Sequence, residues 1–194
     1  MAASLQRARY THVAMAFHWL IAALILLNLV LGFRMAFLKG LAQFNIFQLH
    51  KSVGVTILLL SLGRLAWRLI NPPPPEPAGL QPWEKAAALA VHWAFYVIMI
   101  GMPLTGWLVV STSPYNLPTL LYHLVPWPHL PVVHDLAAPQ KAAVNHLSGT
   151  AHVVLAWSTV TLLALHVGAV VKHQFLDGHP VLGRMTPGSG APLD

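Results

Sequence analysis

The segment HVVLAWSTVTLLALH, residues 152 to 166, is an apolar run without a charge that carries an imidazole at each end. Wound as a helix, it sets His152 and His166 about 21 Å apart along the axis and about 40° apart around it, so they share one face at two depths. A neutral imidazole is a strong metal ligand, and an unpartnered one in hydrocarbon is costly. Two on one face therefore imply partners presented by other helices.

Those helices are visible in the composition. The chain has 194 residues, 56% of them hydrophobic and only 8% charged, with a mean hydropathy of +0.62, which excludes an ordinary soluble domain. Apolar runs at Val13–Phe33, Ser52–Ile70, Ala86–Val110 and Ala151–Val171 are each near the ~20 residues needed to span a bilayer as helix. The expected fold is an all-α membrane protein, an antiparallel four-helix transmembrane bundle forming one domain over residues 1–194. The first run exceeds the length of a signal-peptide core and is expected to be retained.

Cysteine is absent, which excludes disulfides, thiolate-held iron–sulfur clusters and covalent haem attachment through C-x-x-C-H. The formal charge of +6 does not indicate nucleic acid, because the basic residues are scattered at span ends. With four spans, Arg7, Arg9, Arg64, Arg68, Lys85, Lys172 and Arg184 fall on the side of the termini, and Arg34, Lys39, Lys51 and Lys141 on the other. Seven against four favours cytoplasmic termini.

In this arrangement His18 lies at the inner end of the first span and His50 at the outer start of the second. His152 is outer and His166 inner. One imidazole pair results at each depth, His18 with His166 and His50 with His152, each drawn from two helices. Such pairs fill both axial positions of a haem iron, and the macrocycle fits between helices of a bundle. Iron with both positions filled moves electrons rather than binding oxygen. Any one of these histidines alone reads more readily as a hydrogen-bonded packing or pathway residue; four at matched depths favour ligation. His92 also lies near an inner end and competes with His18 or His166 as a ligand on position alone. A histidine-lined metal transport pathway is the reading from another class, and the absence of carboxylates inside the spans argues against it.

The connections differ in character. NPPPPEPAGLQPWEK, after the second span, is read as an extended polyproline-like spacer. The third connection, roughly 111–145, carries six prolines and is long enough to be an ordered lid. Gly101, Pro103 and Gly106 predict a kink or close helix contact in the third span.

FHWL at 17–20, LHKSVG at 49–54, GRLAWRL followed by prolines at 63–75, HWAFYVIMIGMPLTG at 92–106, and the 14-residue histidine spacing followed by KHQF at 172–175 occur in order. Together they resemble the prokaryotic cytochrome b561 family, from about Thr11 to Met185. The resemblance implies a multi-pass protein of the bacterial inner membrane holding two haems b. It implies His18 and His166 on the inner haem, His50 and His152 on the outer, and His92 as a hydrogen-bonding neighbour that is not an axial ligand. Some members of the family oxidise superoxide at the outer face and reduce ubiquinone; others are electron-transfer subunits for a partner dehydrogenase or hydrogenase. The short chain favours the self-contained oxidoreductase.

Haem propionates require cations. Arg64 and Arg68 suit the inner haem. Lys51 suits the outer one, and with Lys141 it also attracts a small anion such as superoxide. Each reads otherwise as a charge snorkelling to the interface. His173, seven positions past His166, is the candidate proton donor to quinone, against a reading as a solvated interfacial histidine. Trp19, Trp67, Trp83, Trp93 and Trp107 read as interfacial anchors or packing.

Overall fold

The computed structural model describes residues 9–76 and 79–187; Arg7 of the charge count lies outside them. Four long helices, α1 (His12–Met35), α2 (Gly40–Ile70), α3 (Pro82–Thr112) and α5 (Ala138–Val171), alternate in direction, and each is long and apolar enough to cross a membrane. α4 (Pro131–His134) is a single turn before α5. Helix α1 packs on α2, α2 on α3, and α3 on α5. Phe33 of α1 meets Trp157 of α5, with ring centroids 5.4 Å apart, and brings the first and last long helices together.

Local chemistry sets the helix starts. The Thr11 hydroxyl accepts from the Ala14 amide at the head of α1. Gln81 and Glu84 form a reciprocal capping box around Pro82 at the first position of α3. α3 remains one helix across Pro103.

The radial pattern is inverted relative to a soluble bundle. Leu26, Val30, Val97, Val153, Val154 and Leu165 are exposed, whereas Gln48, Ser52, Ser61, Ser111, Thr112, Ser148 and Thr159 are buried. Small polar residues let helices approach closely, and Ser52, Thr159 and Ser148 satisfy their hydroxyls on the carbonyls of Gln48, Leu155 and Val144 in their own helices. The outward apolar surface is what lipid solvates.

Two features depart from the sequence expectation. α2 begins 12 residues before Ser52 and α5 13 residues before Ala151, so both outer pair histidines lie well inside helices and the third connection shrinks to 113–137. Amphipathic residues extend these helices beyond the apolar runs, which the hydropathy scan does not register. The remaining connection is also not all-α. Strands β1 (Thr119–Leu121) and β2 (Val125–Trp127) pair antiparallel around the three-residue loop 122–124, in which Tyr122 and His123 are at positive φ (51° and 62°). Glycine, which usually takes such left-handed positions, is missing from the loop.

The hairpin is tied down on α2. The Pro118 carbonyl accepts from Gln48 Nε2 and Lys51 Nζ, both at 3.0 Å, Ser52 Oγ accepts from the Tyr122 amide at 2.9 Å, and the Tyr122 and Thr56 hydroxyls lie 2.6 Å apart. At the opposite end, the side of the termini, the C-terminal segment closes over the helix ends. Trp19 Nε1 donates to the Met185 carbonyl at 2.7 Å, and Arg184 donates to the carbonyl of Pro75.

Candidate functional site

The four long helices carry a common register. Gly32 follows His18, Arg64 follows His50, Gly106 follows His92, and His166 follows His152, each by 14 positions. A 14-residue step returns nearly to the same helix face about 21 Å away. Because direction alternates, two layers result. His18, Arg64, His92 and His166 lie toward the termini; Gly32, His50, Gly106 and His152 lie toward the hairpin.

On the hairpin side the His50 and His152 rings face each other with centroids 6.1 Å apart. Two metal–nitrogen bonds of about 2 Å and two ring radii of about 1 Å sum to about 6 Å, so one metal ion fits between them. The tautomers suit ligation as well. His50 Nδ1 is 3.1 Å from the Asn28 carbonyl and His152 Nδ1 is 3.1 Å from the Met102 carbonyl, contacts in which Nδ1–H donates and the Nε2 lone pair stays free. Between these helices lies a cavity of about 230 Å³ whose walls include both histidines, Lys51 and Trp127. Trp127 Nε1 is buried there without a protein hydrogen-bond partner, as suits a wall that meets a carboxylate. Lys51 is itself buried, with its ammonium on the Pro118 carbonyl and 4.6 Å from the Phe47 ring centre. The residues on this side thus fit a haem with two imidazole ligands.

Toward the termini the arrangement is more crowded. The His18 and His166 rings are 6.2 Å apart, and the His92 ring is 5.9 Å from His166. Both separations admit one metal ion, so the ambiguity over His92 seen in the sequence persists in the ring spacing. Arg64 Nη2 lies 3.2 Å from His18 Nδ1, which places the guanidinium at the intended pair. Arg68 sits over the Trp93 and Tyr96 rings at 5.6 and 5.7 Å.

His173 does continue past α5, but on a π-helical turn, Lys172–Leu176, a geometry that often marks functional positions. Its Nδ1 lies 2.7 Å from Asp177 Oδ2. Lys172 Nζ bridges Glu84 Oε1 at 2.8 Å and Asp177 Oδ2 at 2.6 Å. Hydrogen bonding from Lys172, with a smaller contribution from His173, holds the Asp177 carboxyl below its usual range. Glu84, His173 and Asp177 also offer ligand atoms within 4.8 Å of one another, but the Lys172 ammonium already bridges the two carboxylates.

Lys141 lies on the hairpin side near a stacked pair, His129 and His134, whose rings are 4.9 Å apart and 5° from parallel. Burial first, then the charges of His134, Lys51 and Lys141, push the His129 imidazole below its ordinary range. Of the tryptophans, Trp67 donates to the Thr11 hydroxyl at 3.0 Å and Trp107 to the Pro128 carbonyl at 2.8 Å, so these two tie helices to neighbouring segments.

Asp177, Thr105, Gly32 and the Asn28 and Met102 carbonyls were not singled out by the sequence reading. The 14-residue register was the available signal for Gly32 and Gly106. Nothing in the sequence marks a particular backbone carbonyl.

Comparison with known proteins agrees with this geometry. The chain belongs to the prokaryotic cytochrome b561 family, which it matches over residues 9–188. It is 29% identical over 179 residues to Cytochrome b561 homolog 2 of Escherichia coli K12, covering 91% of this chain and 90% of that one. It is 26% identical over 184 residues to the Probable superoxide oxidase CybB of Yersinia pestis, covering 92% and 96%. Cytochrome b561 homolog 1 of Escherichia coli K12 is 22% identical over 191 residues. Family membership makes the chain a membrane electron-transfer protein that binds b-type haem.

Proposed function

We propose that the protein holds two haems b and transfers electrons across the bacterial inner membrane, oxidising superoxide at the periplasmic face and reducing ubiquinone. The observation that carries this reading is the pair of facing imidazole sets at two depths, 6.1 and 6.2 Å between ring centres. The relative named as a probable superoxide oxidase supports the choice of donor. The overall reaction is two superoxide anions, one ubiquinone and two protons giving two dioxygen molecules and one ubiquinol.

His50 and His152 would hold the hairpin-side haem, and His18 and His166 the haem near the termini. When bound, haem iron supplies one-electron redox chemistry. Arg64 and Arg68 would neutralise propionates near the termini and Lys51 those near the hairpin, while His92 serves as a hydrogen-bonding neighbour of His166. Lys51 and Lys141 raise the local concentration of a small anion. His173, oriented by Asp177, holds a proton for the quinone. Seven basic residues against four support cytoplasmic termini and a periplasmic hairpin.

Haem quantified after acid-acetone extraction should give two per chain, and generated superoxide should drive ubiquinone reduction by the purified protein. One haem per chain would refute the paired assignment. Two haems without superoxide-driven turnover would refute the donor. A second reading, a subunit that passes electrons from a partner dehydrogenase or hydrogenase, is favoured by the exposed Tyr115, Leu124 and Val132 on the hairpin side. Recovery of a stable complex from the native membrane would select it.

A further inference from the structure

The hairpin-side histidines are held by the same device twice. A Cβ added at Gly32 would lie 3.3 Å from His50 Cε1, and one added at Gly106 would lie 3.2 Å from His152 Cε1. Both are closer than an ordinary van der Waals contact. In each case the ring's Nδ1 reaches the carbonyl of the residue four positions before that glycine, Asn28 for Gly32 and Met102 for Gly106. One neighbouring helix thus removes a side chain to admit the imidazole, and one turn earlier offers the acceptor that fixes its tautomer. The coincidence on two separate helices, α1 for His50 and α3 for His152, argues against a packing accident.

The α3 copy has an additional part. Thr105 Oγ1 donates to the Met102 carbonyl at 2.7 Å and lies 3.0 Å from His152 Nδ1. The hydroxyl's proton is spent on the carbonyl, so its lone pair faces the imidazole N–H. His152 Nδ1–H is therefore shared between two acceptors. The layer near the termini has neither part: its α1 and α3 positions are His18 and His92, and His18 Nδ1 faces the Arg64 guanidinium, which cannot accept.

We infer that Gly32 and Gly106, together with the Asn28 and Met102 carbonyls and the Thr105 hydroxyl, are positioning elements that fix ring orientation and Nε2 basicity of His50 and His152 toward the hairpin-side haem. This rests on the two-haem reading above. An imidazole whose N–H is donated is a more basic ligand and stabilises the oxidised iron. Removing an acceptor therefore raises the midpoint potential of that haem.

The experiment is redox titration and low-temperature EPR of the purified haem-loaded protein, with the hairpin-side centre identified as the one lost in His50→Ala. Thr105→Val keeps the shape and removes the acceptor. It should raise the hairpin-side midpoint by about three- to tenfold in the reduction equilibrium constant, the size of one hydrogen bond, and leave the other centre unmoved. Thr105→Ser should restore it. Gly106→Ala and Gly32→Ala should lower occupancy of the hairpin-side haem or alter its EPR anisotropy. Gly101→Ala, whose added Cβ meets only Leu155 Cδ1 at 4.0 Å, should change neither centre. An unmoved hairpin-side centre in Thr105→Val and both glycine variants would overturn the inference while the two-haem reading stands. Equal shifts of both centres in Thr105→Val would overturn it as well. A wild-type protein with a single haem would instead overturn the underlying reading.

Discussion

The two layers of the bundle use the same helices at the same 14-residue register and reach different solutions. Toward the hairpin, two helices give histidine and two give glycine, and the ring N–H groups end on backbone carbonyls. Toward the termini, three helices give histidine and the fourth gives Arg64, so imidazole meets imidazole and cation. The hairpin-side layer is organised by uncharged backbone, the other by side chains whose charge and position can respond to what binds. The difference teaches that a repeated register need not give equivalent surroundings: the residues opposite the histidines decide what each imidazole N–H or lone pair meets.

The largest expected effect comes from deleting one histidine of a pair. His152→Ala and His166→Ala lie on one helix yet should each remove a different haem, lowering the extracted haem from two per chain to one. Optical redox titration would show which centre survives, and loss of the same centre from both variants would break the two-layer scheme. His92→Ala in the same assay should keep both centres six-coordinate; conversion to five-coordinate spectra would make His92, not His18, the partner of His166.

Next comes the proton side. His173→Phe should retain both haems and their reduction by superoxide, while steady-state ubiquinol formation falls about 100-fold, as for loss of a positioned general acid. Stopped-flow haem reduction and turnover measured on one preparation separate the two. Turnover at the wild-type rate would return His173 to the role of an interfacial histidine.

Arg64→Leu tests the charged layer. It should weaken haem retention near the termini about tenfold, the effect of one charge-assisted hydrogen bond, and lower that centre's midpoint by removing a positive charge. The hairpin-side centre, about 21 Å away along α2, should be nearly unchanged. Equal changes at both would show that the layers are not independent.

The smallest effect is a pH dependence of the segment that follows the hairpin. His129 has its folded-state pKa below its unfolded value, so the unfolded state binds the extra proton first and stability rises with pH in that window. The contribution is complete above the ordinary imidazole range and is lost as pH falls through the folded pKa. The protection factor of the Leu130 amide, which donates to Ser111 Oγ at 3.0 Å, should fall on acidification once the intrinsic pH dependence of exchange is divided out. His129→Gln should flatten that response.

Composition and periodicity alone determined that there are four long apolar helices and how far apart the histidines lie along them, because helix rise is fixed and a bilayer has one thickness; the starts of α2 and α5 lay beyond the apolar runs. The pairing of His18 with His166 and of His50 with His152 as neighbours was legible for the same reason. The sequence did not determine what surrounds those rings. Whether a carbonyl such as Met102 is free to accept, whether Lys51 points to a hairpin or a cavity, and whether Tyr122 and His123 take positive φ depend on how helices rotate and how loops dock. Those are tertiary properties, set by contacts between residues distant in the chain. The 14-residue step from His92 to Gly106 shows the boundary: the spacing was written in the sequence, but only the packed bundle put His152 against that glycine.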